Sequence, residues 1–287
     1  MTLFLQSSCV PSSNPPRFCC SHQSPLCFNG ATCVVANFTE TPRRFKCQCS
    51  NGYYGNQCQI VKPKTCLDYW SEQVKPISGK YTILDEKETS YEVFCDFDSE
   101  EDMTWTLFAS FDFNHQSSQQ ELSFTENDPK NEHDLNWKLF RLRKSVMMEI
   151  SSHSTFWRVT CSFAEYGVDF RDYMRVRLSI VNPLTHDTEV QRKCSTVDFL
   201  DIKGSNCINC TQIIYQHDVT LGLSPWHSRQ NNCTFDSSTV EHKCYGGEYA
   251  RLIGRYHRCT DRNYRCSEET TSTTEFWFGA VKDKNEN

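Results

Sequence analysis

The chain has no run of about eighteen apolar residues, the least that spans a bilayer as a helix, so none of its 287 residues is read as a transmembrane segment. It also lacks an excess of positive charge. Thirty basic residues stand against 36 acidic ones, a net charge of −6, which gives the whole chain no electrostatic footprint for nucleic acid. Catalytic signatures are absent: there is no Gly-x-Ser-x-Gly, no His-Glu-x-x-His and no phosphate-cradling glycine loop. The nine histidines are scattered, and a lone one such as His153 or His217 reads as a surface or hydrogen-bonded residue rather than a base. No catalytic residue, metal ligand or cofactor is assigned, and the chain is read as non-enzymatic. The opening Met1-Thr-Leu-Phe-Leu-Gln6 carries no basic residue and only a short apolar run, so it is not read as a secretory leader.

Cysteine is what the chain has in quantity. Eighteen cysteines, an even number, accompany three N-glycosylation sequons at Asn37, Asn209 and Asn232. Together they place the protein in an oxidising extracellular compartment, with its secretory leader missing or removed. Six of the cysteines, Cys20, Cys27, Cys33, Cys47, Cys49 and Cys58, are separated by six, five, thirteen, one and eight residues. Asn29-Gly30 precedes the third and Gly52-Tyr53-Tyr54-Gly55 the last. A segment of roughly forty residues buries too little apolar surface to fold alone, so disulfides must replace a core. Spacing by itself leaves many pairings open.

This pattern resembles an EGF-like module. The resemblance implies first-to-third, second-to-fourth and fifth-to-sixth pairing, here Cys20–Cys33, Cys27–Cys47 and Cys49–Cys58. Cys19 precedes Cys20 directly, so either fills the first slot, and the other is left to pair with Cys9. Calcium-binding members carry acidic residues before the first cysteine, whereas this chain has Asn14-Pro-Pro-Arg17. No calcium site is expected there.

Outside that module, residues 1–18 are Ser- and Pro-rich and read as an irregular lead-in. Residues 60–65 form a short linker after the module at 19–59. Leu67, Trp70 and Val74 then fall on one helical face. Tyr91, Val93, Cys95 and Phe97 alternate as a strand, and Thr104–Phe108 reads as another. Cys66, Ser78-Gly79-Lys80-Tyr81-Thr82-Ile83, Val93-Phe94-Cys95-Asp96 and Trp105-Thr106 resemble the opening of a fibrinogen C-terminal-like domain, and that resemblance implies a Cys66–Cys95 disulfide. The family's glycine-rich run and calcium loop of alternating aspartates are not found. Fibrillar collagen C-propeptides, which open in a similar way, are the alternative homologue.

Residues 114–134 read as a polar loop region, and Asn136–Arg143 as either strand or helix. Phe156–Phe163 and Met174–Ile180 read as strands with basic or polar side chains outward. Seven cysteines lie between Cys194 and Cys266, and Cys161 makes the set even; their pairing is not readable. Glu275–Gly279 reads as a closing strand. The expected architecture is a small disulfide-rich EGF-like module followed by a mixed α+β, strand-rich, disulfide-stapled fibrinogen-like domain over 66–280, with a charged tail at 281–287.

Three constellations invite chemistry. Cys207-Ile-Asn-Cys210 has redox spacing, but no βαβ pattern surrounds it and Asn209 sits in a sequon, so a structural disulfide is expected. The acidic run Asp96–Asp102 suggests calcium, but it matches no EF-hand loop and is read as a solvated turn. Arg251, Arg255, Arg258, Arg262 and Arg265 crowd one stretch with His257, Tyr256 and Tyr264. Charge runs usually mean a solvated face, yet this cluster is the best candidate for a patch that binds a sulfated glycan or another polyanion.

The combination resembles secreted proteins of simple animals, cnidarians among them. That resemblance implies binding to an extracellular-matrix protein or glycan, and extends to a mineral surface within a skeletal organic matrix (biomineralization). The alternative is a lectin-like innate recognition protein that binds glycans through its fibrinogen-like domain.

Overall fold

The structure, a computed structural model, describes residues 27–35, 45–50, 52–70, 75–116, 123–189, 193–217, 221–236, 238, 240, 252–253, 256 and 259–282. The chain divides into two compact units, Met1–Pro63 and Lys64–Asn287. The lead-in 1–18, Cys9, Cys19, Cys20, Asn37, Val74 and residues 283–287 of the tail lie outside the described residues.

In the first unit, β1 (Thr32–Val35) pairs antiparallel with β2 (Phe45–Gln48), setting Cys33 opposite Cys47. A second hairpin joins β3 (Tyr53–Tyr54) to β4 (Ile60–Val61). Disulfides link Cys27 to Cys47 and Cys49 to Cys58, and Cys33 is also disulfide-bonded. Cys47 and Cys58 are buried in this unit, so half-cystines stand where a larger domain has aliphatic side chains. Asn29 and Gly30 both take left-handed backbone (φ 54° and 69°), the conformation that favours an Asn-Gly pair in a tight turn. Asn29 Nδ2 donates to the Cys58 carbonyl at 2.7 Å, tying that turn to the last cysteine.

The second unit is built on one nine-stranded antiparallel sheet. Its strands are β5 (Gly79–Leu84), β6 (Ser90–Asp96), β7 (Met103–Asp112), β8 (Leu139–Arg141), β9 (Phe156–Cys161), β10 (Tyr173–Arg177), β12 (Phe199–Ile202), β13 (Ser205–Ile208) and β17 (Thr273–Val281). The number 11 belongs to Ser195–Thr196, 14 to Thr211–Gln212, 15 to Ile214–Tyr215 and 16 to Gly222–Leu223; these short strands form separate pairs, β11 with β14 and β15 with β16. The large sheet runs β13-β12-β10-β9-β17-β7-β6-β5, with β8 added on β7. β17 therefore lies between β7 and β9 although it follows both by more than a hundred residues in sequence. Its near-continuous run of apolar and hydroxyl side chains is the composition of a strand covered on both faces, and only Val281 of its nine residues is exposed. Helix α1 (Lys144–Ser152) buries Val146, Met147 and Ile150 in the same apolar cluster. The unit is a strand-rich mixed fold stapled by disulfides Cys66–Cys95, Cys161–Cys266, Cys194–Cys233 and Cys207–Cys210. Cys259 is disulfide-bonded as well.

Three expectations from sequence are corrected. The helix after Cys66 is a single 3₁₀ turn, Cys66–Tyr69, closed by a capping box between Thr65 and Asp68. Trp70 leaves it in extended conformation and packs edge-on against Phe97 at 6.2 Å. In β9 the basic residue does not face outward. Arg158 is fully buried, its guanidinium stacked between Trp105 and Trp277 at 4.5 and 4.8 Å, and it donates to Asp96 Oδ2 at 2.5 Å and Glu100 Oε1 at 2.9 Å. The acidic run that supplies those carboxylates is accordingly not a solvated turn. Asp96 and Glu100 point into the interior, and Glu100 also accepts from the Tyr173 hydroxyl at 2.7 Å and from Arg175. Burial alone would raise the Asp96 carboxyl; the Arg158 guanidinium holds it below its ordinary range. Asp98 stays exposed and receives the Ser78 hydroxyl at 2.7 Å.

Candidate functional site

The second unit carries a surface pocket of about 180 Å³ lined by Tyr166, Arg171, Arg262, Asn263, Arg265 and Glu268. Its residues come from two stretches of chain roughly a hundred residues apart. Tyr166 ends the short helix α2 (Phe163–Tyr166), which stops at Gly167 (φ 62°). Arg171 lies in the turn into β10, between Phe170 and Asp172, both with left-handed backbone (φ 62° and 50°). That conformation is uncommon for a residue as bulky as phenylalanine, and it is held by rings, since Phe170 packs on Tyr173 at 5.3 Å and on Phe199 at 5.7 Å. Arg262, Asn263, Arg265 and Glu268 come from the loop that leads into β17.

Two devices hold the stretches together. The Cys161–Cys266 disulfide joins the end of β9 to the residue after Arg265. Asp172, without exposed surface, accepts the Arg265 backbone N–H at 3.1 Å on one oxygen and the Lys203 N–H at 2.6 Å on the other. Burial pushes its carboxyl upward despite those two donors. The loop is further shaped by Tyr264, whose buried ring sits beside Tyr256 and whose hydroxyl accepts the Ile253 N–H at 3.0 Å. Tyr256 and Tyr264 are both buried, whereas Arg262 between them is exposed.

The three guanidinium groups differ in what they have left to offer. Arg265 donates to Asp169 Oδ1 at 2.6 Å and lies over the Tyr166 ring at 4.5 Å. The bond to Asp169 raises the arginine and lowers the aspartate, fixing both as ions. Arg171 is half exposed, with its Nε 3.7 Å from the buried Asp172. Arg262 is exposed and has no ion-pair or hydrogen-bond partner among the described residues. Glu268 contributes one carboxylate to the lining. An ordered Arg265–Tyr166 wall, a half-committed Arg171 and an uncommitted Arg262 make a place where an oxyanion can meet planar N–H forks.

Of the sequence-predicted cluster, Arg262 and Arg265 line this pocket, while Arg251, Arg255, Arg258 and His257 lie outside the described residues. Arg171 and Tyr166 were not singled out from sequence. The one signal toward them was the parity that counted Cys161 with the late cysteines. Cys207 and Cys210 are bonded to each other, with Cys210 buried, so neither is a free thiol. Asn209 and Asn232 are exposed. His217 bonds Asp187 at 3.0 Å and His153 lies 3.6 Å from Glu149. Among the described residues no group of three or more His, Cys, Asp or Glu side chains is arranged to hold a metal ion, and no helix is long and apolar enough to cross a membrane. No protein-family model matches the chain, and no curated protein matches it.

Proposed function

We propose that the protein is a secreted, non-enzymatic extracellular glycoprotein that binds an anionic matrix component, a sulfated or carboxylated glycan, through the Arg171–Arg262–Arg265 pocket. The observation that carries this reading is Arg262, an exposed cation without an ion-pair or hydrogen-bond partner among the described residues, lining a pocket in which Asp169 holds Arg265 and Arg171 is half exposed. The pocket's 180 Å³ suits a single charged substituent with part of a sugar ring rather than a whole oligosaccharide, since drug-sized ligands occupy roughly 300 Å³ or more. The Tyr166 face beside Arg265 adds an apolar surface against which such a ring would lie.

The architecture proposed with this function is an EGF-like module followed by a divergent fibrinogen-like domain. The Cys27–Cys47, Cys49–Cys58 and Cys66–Cys95 links support it. A place in a skeletal organic matrix is the narrower form of the proposal, in which acidic matrix polymers are the anion. Heparin and a carboxylated polysaccharide, titrated against the full chain at several salt concentrations, test it. Binding is expected to weaken steadily with salt, and the double substitution Arg171→Ala, Arg262→Ala to lower affinity at least tenfold while leaving the melting temperature unchanged. Equal affinity in the variant overturns the site. Sugar binding that requires calcium favours the lectin-like alternative instead.

A further inference from the structure

Two of the three sequons meet in the folded protein. Asn209-Cys210-Thr211 leaves β13 and enters β14, and Asn232-Cys233-Thr234 follows helix α3 (Pro225–Gln230). Their threonines are joined reciprocally: the Thr211 N–H donates to Thr234 Oγ1 at 2.8 Å and the Thr234 N–H donates to Thr211 Oγ1 at 2.9 Å, with the two hydroxyl oxygens 3.3 Å apart. The middle residue of each sequon is a half-cystine, bonded to Cys207 in one case and to Cys194 in the other. Both asparagines are exposed and hold left-handed backbone, φ 53° at Asn209 and 54° at Asn232.

We propose that Asn209 and Asn232 are a pair of N-glycan acceptors that are modified only before the fold closes around them. The inference needs passage through an oxidising secretory compartment, but not the anion-binding reading of the pocket. A sequon is defined by its Ser or Thr hydroxyl, so the transferase must reach that group as well as the amide. In the native fold each hydroxyl oxygen accepts the other sequon's backbone N–H, and each central cysteine is locked in a disulfide, so both sequons are held in one fixed backbone shape. The chain therefore presents exposed asparagines in sequons that a transferase cannot engage. In the open chain, asparagine Nδ2 attacks C1 of a lipid-diphosphate-linked oligosaccharide. The C1–O bond breaks, the diphosphate leaves with the electron pair, and the amide proton passes to a base on the transferase. Once Cys194–Cys233 and Cys207–Cys210 form, the two sugars are left side by side on one patch, since each asparagine stands two residues from the threonine contact.

Asparagine is also favoured for its backbone alone, because it tolerates left-handed φ better than most residues. Glycine separates the two roles: it keeps that conformation and removes the acceptor. The experiment uses unglycosylated full-length chain, refolded and oxidised in one arm, reduced and alkylated in the other. Both are incubated with purified oligosaccharyltransferase and lipid-linked oligosaccharide, and occupancy at each site is read by peptide mass spectrometry. The reduced chain is expected to be modified at both asparagines, and the oxidised chain at least tenfold more slowly at both. Asn209→Gly and Asn232→Gly are each expected to lose the sugar at their own position and to fold with unchanged disulfides. Equal rates in the two arms overturn the proposal, as does a reduced chain that accepts no sugar at either site.

Discussion

Glu275 shows how one residue of the central strand sets a pH response. It has no exposed surface, and it accepts from the Thr160 hydroxyl at 2.7 Å, from the Thr273 hydroxyl and from the Phe163 N–H at 3.3 Å. Burial raises its carboxyl from 4.5 to about 7, outweighing those donors. The folded protein thus keeps a proton that the unfolded chain has released, so the contribution of Glu275 to stability is fully present at and below pH 4.5, falls as pH rises toward 7, and is lost above it. The span corresponds to a loss on the order of 3 kcal/mol. Glu275→Gln keeps an acceptor for the hydroxyls and cannot ionise. Urea unfolding near pH 5 and pH 8 is expected to show a much smaller difference in the variant than in the natural chain, and an unchanged difference would remove Glu275 as its source. This was not legible in the sequence, where a glutamate beside Phe276-Trp277-Phe278 marks only a strand. The same is true of Arg158, since a base alternating with apolar residues looks outward until Asp96 and Glu100 are known to reach it.

At the scale of elements, the alternation Tyr91, Val93, Cys95, Phe97 and the apolar run at Glu275–Gly279 carried their strands openly, because burial on one or both faces writes its period into composition. Helix signals read less well, since Leu67, Trp70 and Val74 satisfy the helical spacing while the Thr65–Asp68 capping box closes a single turn. β17 also shows how closely its neighbours are fitted. A Cβ placed on Gly279 would stand 2.2 Å from Cε3 of the Trp105 ring in β7, and that ring is itself pinned under Arg158. Gly279→Ala is expected to destabilise by about 1–3 kcal/mol, the usual cost of overpacking a filled core. Chemical denaturation checks it, and a variant of equal stability would mean that the Trp105 ring is free to move.

For the whole molecule, the two units keep their structures by different means, the first by half-cystines and the second by a sheet that disulfides fasten at intervals. The pocket lay half in view of sequence: the arginines near 262 announced themselves, while Arg171 and Tyr166 join them only through Cys161–Cys266 and Asp172. That disulfide spans 105 residues, a loop whose closure stabilises by about 4–5 kcal/mol in the chain-entropy account. Substituting both cysteines by serine is expected to cost about that much in a denaturant titration and to weaken heparin binding. The same change at Cys207 and Cys210, three residues apart, is expected to cost markedly less. Equal losses would show that the long link does not organise the unit.

The place of β17 also dictates an order of events during synthesis. β7 and β9 leave the ribosome with their facing edges open, and no hydrogen bond joins one directly to the other. Their shared partner is made after both. Until it arrives, the large sheet is two separate sets of strands with exposed edges, the kind of surface that recruits chaperones and invites wrong pairing. Within this unit, the strand that unites the sheet is made after the two it joins, so the facing edges of β7 and β9 wait through more than a hundred residues of synthesis before they are covered.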